Sequence, residues 1–233
     1  MKYILLNVLL LVTLLASGQK LDFTGEIAGL QKGTKVILSD LMGKRFHDTA
    51  LVNDYMFKFD TKLPGAGIYV LRIGLIGQEP EHRKFYLDAG KVKLVGRRGE
   101  LKKATISSDA PYMKDYIRFT DLMEGQEVFA RKKAISDSAI MRAAETGSYE
   151  GLFKHPDLVQ RLLDVDREAA AKAMEVARQW LSQNPHSDIN AYVIYIYLRR
   201  QKDDKTVKAA LVKLSPSARK SLPGEIISNE FDN

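Results

Sequence analysis

Few residues in this chain combine a reactive type with a workable spacing. Ser217-Ala218-Arg219-Lys220 has the Ser-x-x-Lys spacing that lets a lysine accept a serine proton across one helical turn, as a nucleophilic hydroxyl requires. The same stretch equally suits a helix start, because Ser215-Pro216-Ser217 supplies capping hydroxyls and a first-turn proline. His47, His82, His155 and His186 stand apart, with no H-x-H or H-x-x-x-H pair to grip a metal. The closest carboxylate pairs, Asp164/Asp166 and Asp203/Asp204, lack the glycine and alternating oxygen ligands of a calcium loop and read as helix-terminal charges. No glycine-rich phosphate cradle occurs. The 233 residues include no cysteine, which excludes disulfides, thiolate catalysis, cysteine-ligated zinc and iron–sulfur clusters built from this sequence. On the residues alone, no catalytic, cofactor-binding or metal-binding position is assigned, and no cofactor is expected. Two aromatic sets remain: Tyr55, Tyr69 and Tyr86 as a possible ligand surface, and Tyr192, Tyr195 and Tyr197, which lie in an apolar segment and read first as core.

The elements that would position these residues fall into two compositional halves. From residue 23 to 106, short alternating runs are separated by Gly, Asp, Asn and Pro, which predicts strands at 23–27, 35–39, 48–52, 56–60, 67–73, 83–87, 91–95 and 104–107. Turns are expected at Leu41-Met42-Gly43-Lys44, Val52-Asn53-Asp54-Tyr55 and Asp88-Ala89-Gly90, with a break at Pro64-Gly65. After Ser107 the spacing becomes helical. Asp109 and Pro111 open a helix whose Tyr112, Tyr116, Phe119 and Met123 share one face, and 131–146 forms a second, ending at Gly147. His155-Pro156-Asp157 opens a longer helix that stops at Asn184-Pro185. The apolar segment 189–198 is read as a helix capped by Ser187-Asp188, and two short helices follow at 205–213 and 217–222. The expected class is α+β: an N-terminal antiparallel β-sandwich or barrel-like sheet over 19–108, then an all-helical region over 109–233.

Composition and charge bound the setting. Hydrophobic residues make up 45% and charged residues 28%, an ordinary folding composition. Residues 1–18 have a basic start, about a dozen apolar residues and Ala16-Ser17-Gly18, so they read as a signal peptide cleaved after Gly18. The expected product is exported, periplasmic or associated with the cell envelope, soluble, and not a lipoprotein, since no cysteine follows the cleavage point. Of the net charge of +7, residues 19–110 carry +5, from 16 basic against 11 acidic side chains. The excess lies around His82-Arg83-Lys84, Lys91, Lys93, Arg97-Arg98 and Lys102-Lys103. Such a cluster attracts an anionic membrane, a nucleic acid or an acidic partner, but the alternation Lys91-Val92-Lys93-Leu94 is better read as a solvated strand face. No nucleic acid is expected as a partner of an exported protein, and no transmembrane segment is expected after signal cleavage.

With the elements in order, the chain resembles the uncharacterised N-terminal domain that precedes a thioredoxin-like (AhpC-TSA-like) domain in secreted bacterial thiol–disulfide oxidoreductases. The residues that carry the resemblance include Phe23-Thr24-Gly25-Glu26-Ile27, Tyr55-Met56-Phe57-Lys58-Phe59-Asp60, Phe85-Tyr86-Leu87-Asp88-Ala89-Gly90, Asn184-Pro185-His186-Ser187 and Leu214-Ser215-Pro216. It runs from about Phe23 to Ile227. In that family the chemistry belongs to the C-x-x-C pair of the redox domain, which is absent here, so the resemblance implies no catalytic residue. What it implies is a non-catalytic exported accessory module, either standing alone or cut from a longer redox protein, with an unidentified protein or envelope component as partner. The competing expectations are a small-ligand or glycan-binding β-sandwich and, last, a hydrolase using Ser217 and Lys220.

Overall fold

The computed structural model describes residues 19–74, 80–147, 151, 154–201 and 204–231. The expected signal peptide over 1–18 and Asp203 lie outside the described residues. The architecture is α+β, with eight strands followed by helices among the described residues. The chain divides into two compact units, one comprising residues up to Lys114 together with Ser217–Glu225, the other Asp115–Pro216 together with the chain from Ile226 onward.

The first unit is built on strands β1 (Gln19–Ala28), β2 (Lys35–Asp40), β3 (His47–Leu51), β4 (Met56–Leu63), β5 (Gly67–Ile73), β6 (Glu81–Leu87), β7 (Gly90–Arg97) and β8 (Thr105–Ser108). They form two four-stranded sheets, β4-β1-β7-β8 and β3-β2-β5-β6. The expected antiparallel order needs one correction: β1 and β7 pair in parallel, Leu21 opposite Gly90 through Ala28 opposite Arg97. Alternation and turns in a sequence specify hairpins between neighbours, such as β2–β3, β5–β6 and β7–β8. They carry no information about a strand that returns to the first sheet after the chain has visited the second.

The alternating residues of the first sheet send Leu21, Phe23, Ile27, Phe57, Phe59, Val92 and Leu94 inward, and all are buried. Phe23 meets Phe57, Phe59 and, from the opposite sheet, Phe85, with ring centroids 6.0–6.2 Å apart. Gly25 lies opposite Phe57, and a Cβ there would come within 2.0 Å of the Phe57 ring, so the small residue is required for the aromatic to lie across the strand. Strand β5 is buried on both faces except at Arg72. On its outer side Tyr86 packs edge-on to Tyr112, at 5.9 Å. Leu222 covers Gly67, and its N–H donates to the Ala66 carbonyl at 2.8 Å. Asp40 closes the β2–β3 loop by accepting from the N–H groups of Met42, Arg45 and Phe46.

The helices are α1 (Pro111–Glu124), α2 (Glu127–Thr146), α3 (Pro156–Gln183), α4 (Asn190–Val193), α5 (Lys205–Val212), α6 (Pro216–Lys220) and α7 (Leu222–Phe231). In the second unit α2 and α3 pair through Val128, Ile135, Val165 and Ala169, flanked by the ion pairs Arg131–Glu168 and Lys132–Asp166. Phe119 gathers Trp180, Tyr192 and Tyr197 around it at 5.4–6.3 Å. The segment 189–198 is helical as expected, but α4 widens into a π-helical turn at Ile194–Leu198. The expected cap does not form there: the Ser187 hydroxyl donates to Asp115 at 2.5 Å and Asp188 accepts from Ser215 at 2.6 Å. Both groups satisfy other elements, and the α3–α4 junction is closed by Asn190, which accepts from Trp180 Nε1 and donates to the Asn184 carbonyl. Helix α2 starts at Glu127, four residues before the expected 131. Helix α7 lies beyond the last helix expected from the sequence, 217–222; its Pro223 is tolerated in the first turn, and Ser221 Oγ accepts from the Gly224 N–H at 3.1 Å.

Candidate functional site

The residues singled out from the sequence scatter over the fold. Ser217 and Lys220 both lie on α6, but no hydrogen bond joins them, and Lys220 is exposed. His47 lies on β3 and His82 on β6, whereas His155 precedes α3 and His186 lies in the turn between α3 and α4, and among the described residues no group of three or more His, Asp or Glu is placed to hold a metal. Asp164 accepts from Gln160, and Asp166 pairs with Lys132 at 2.8 Å. Asp204 caps α5 by accepting from Thr206 and Val207 N–H, and also pairs with Arg178 at 2.7 Å. Partial burial opposes its ionisation, yet the Arg178 guanidinium and the two N–H groups hold its carboxyl below the ordinary value of 3.8.

Of the three tyrosines proposed to contact a ligand, Tyr69 and Tyr86 are core residues. Tyr69 is fully buried, donates to the Gly65 carbonyl at 2.6 Å, and has its phenol pushed well up by burial. Tyr86 is buried against Tyr112. The register puts them on opposite faces of the sheet: Tyr69 lies opposite Phe85 on the face toward the other sheet, whereas Tyr86 lies opposite Ile68 on the outer face and is buried there by Tyr112. Tyr192 is also buried, its phenol raised chiefly by desolvation, in keeping with the core reading of that set.

Tyr55 alone of the first set is exposed, at 60%. It and Asp54 are the central residues of the tight β3–β4 turn, closed by reciprocal bonds between Asn53 and Met56 at 2.8 and 2.9 Å. Both have positive φ, 48° for Asp54 and 63° for Tyr55. A two-residue hairpin of this kind demands that conformation, and asparagine, aspartate or glycine meets it at little cost; tyrosine does not. Around the turn stand three more exposed apolar side chains, Leu51, Met56 and Val95. Met56 and Val95 flank Glu26 in one cross-strand row, and Leu51 lies opposite Lys35.

Much of the basic cluster collects at this same end of the sandwich. Ala28 lies opposite Arg97, and Arg98 N–H donates to the Ala28 carbonyl at 2.9 Å, while Ile27 N–H donates to Tyr55 O at 2.9 Å. The β1–β2 loop carries Lys32 and reaches the turn through Gly33 N–H to Val52 O. The β7–β8 connection carries Lys102 and Lys103 on a 3₁₀ turn, Leu101–Lys103, held to β6 by Arg83 donating to the Leu101 and Ala104 carbonyls and by Glu81 accepting from Gly99 and Leu101 N–H. Lys103 pairs with Glu100, whose carboxyl is lowered by that bond. Among the described residues, exposed Lys32, Lys35 and Lys102 have no carboxylate within ion-pair distance. By contrast Lys93 is taken up by Glu26 at 2.7 Å on the outer face of the sheet, where Lys58–Asp22 and Lys20–Asp60 complete a lattice of diagonal pairs.

An open groove of about 430 Å³ runs over that outer face, lined by Asp22, Thr24, Glu26, Lys91, Ser107 and Ser108, among others. No helix among the described residues is long and apolar enough to cross a membrane. No family model matches the chain, and comparison with curated proteins and with solved structures likewise finds no match. The turn itself is expected at Val52-Asn53-Asp54-Tyr55; what the sequence reading missed is that its two central residues are Asp54 and Tyr55, so that tyrosine carries a positive φ. The one signal of this was the Asn-Asp-Tyr order, in which tyrosine occupies the position that hairpin chemistry reserves for glycine.

Proposed function

We propose that the chain is a non-catalytic exported module that works by binding a partner through the loop end of its β-sandwich, akin to the accessory region of secreted thiol–disulfide oxidoreductases. One observation carries the binding part: Tyr55 holds a left-handed backbone conformation while its side chain stays 60% exposed. Strain of this kind is retained where it serves a site, because packing here returns nothing for it. The non-catalytic part is supported by the cysteine-free sequence and by the unbonded Ser217 and Lys220. The test is capture from a cell-envelope extract with the wild-type chain and Tyr55→Gly side by side. Retention by the wild type that the variant loses is expected; no retention, or equal retention by both, would sink the reading.

A second reading, a glycan- or small-ligand-binding sandwich, is favoured by the hydroxyls of Thr24, Ser107 and Ser108 beside the Asp22 and Glu26 carboxylates in the sheet groove. It calls for a rise in melting temperature with an envelope-derived saccharide that is lost in Thr24→Val. A flat response to a broad saccharide panel removes it.

A further inference from the structure

At the loop end of the sandwich, Leu51, Tyr55, Met56 and Val95 are between 43% and 65% exposed, and Lys32, Lys35, Arg97 and Lys102 are exposed at the same end. We propose that this end docks on an anionic lipid surface, the β3–β4 turn seated among the headgroups and the surrounding cations against lipid phosphates. The inference rests on the reading of this end as an interaction surface and names its partner.

Three features favour a bilayer over other anionic partners. A polyanion in solution would be served by the cations alone and would give no return for apolar side chains around a strained turn. A protein partner needs a broad complementary patch, about 800 Å² on each side with an apolar centre and polar rim. Here a narrow turn and strand ends carry apolar side chains interspersed with charges, a pattern that a headgroup layer accepts. Tyrosine, with an apolar ring and a polar hydroxyl, is at home at that depth. Apolar contact and basic charge together give two membrane signals, where either alone would give only marginal binding. The acids nearby are largely engaged: Glu26 with Lys93, Glu81 with backbone N–H groups and Glu100 with Lys103, which leaves Asp54 at the turn itself.

The cysteine-free sequence makes a site-specific test clean. Tyr55→Cys in the full chain is labelled with a polarity-sensitive fluorophore and mixed with vesicles of phosphatidylcholine, alone or with phosphatidylglycerol. The expected result is a blue shift with the anionic vesicles only, reversed by salt, and no shift from the same label at Met42→Cys. Met42 is 67% exposed on the loop between β2 and β3, at the opposite end of the sandwich. Capture of vesicles by the apolar residues 1–18 would be common to both labelled chains and would not single out residue 55. Lys35→Glu combined with Lys102→Glu should weaken the response by about tenfold or more, as each basic group near such a surface contributes. No shift at residue 55, an equal shift with neutral vesicles, or an unchanged response in the charge-reversed chain would overturn the proposal. A silent label at residue 55 alongside Tyr55-dependent retention of an envelope protein would overturn the lipid assignment and leave the interaction reading standing.

Discussion

Tyr55 holds φ at 63° in a turn whose geometry a glycine would meet without strain. Tyr55→Gly should therefore stabilise the fold, by about 0.5–1 kcal/mol, although it deletes a large side chain. Chemical denaturation reads this directly, and a loss of stability would mean that the ring packs more than its exposure indicates. Tyr112 is the opposite case. Burial pushes its phenol up to about 12 from the ordinary 10.0, with the hydroxyl donating to the Asp88 carbonyl at 3.4 Å. The folded state keeps this proton after the unfolded chain has released it. Its contribution is whole below pH 10.0 and is lost as pH rises toward about 12. Urea unfolding across that window should show a shallower loss for Tyr112→Phe than for the wild type; parallel curves would contradict the assignment.

Among the elements, α5 shows how one carboxylate serves two ends. Asp204 caps the helix and ties it to Arg178 of α3. Asp204→Ala should cost about 1–2 kcal/mol, the value of a good N-cap. Since its carboxyl titrates below 3.8, the advantage of the wild type over Asp204→Asn should be complete above that pH and vanish as pH falls further. Acid unfolding of the two chains measures it, and an advantage that persists in stronger acid would refute the cap's ionic character. Strands and helices were mostly legible beforehand, because alternation at Lys91–Leu94 and four-residue spacing at Tyr112 and Tyr116 are imprinted by one-sided burial. Their ends were less so. The hydroxyls of Ser187 and Ser221 are equally good caps by type, and only the neighbours decide that the first bonds Asp115 while the second starts α7.

For the whole molecule, the order of strands before helices does not coincide with the compact units. Ser217–Glu225 belongs with the sheets, through Leu222 on β5 and the Arg45–Glu225 pair at 3.1 Å. A chain ending at Pro216 should accordingly melt at a lower temperature and exchange the amides of Gly67–Ile73 faster; unchanged protection there would show that the segment is dispensable. The sequence by itself determined the α+β class, the strand and helix order, the absence of thiol chemistry and the basic bias of the first half. Each of these follows from composition or from periodicities set within a few residues. Tertiary structure alone decided that β1 and β7 run parallel, that Tyr69 and Tyr86 are core, and that Tyr55 stands exposed at the same end of the sheets as Lys32, Lys35 and Lys102. These outcomes depend on which strands become neighbours after the chain has crossed between sheets, and local spacing holds no record of that.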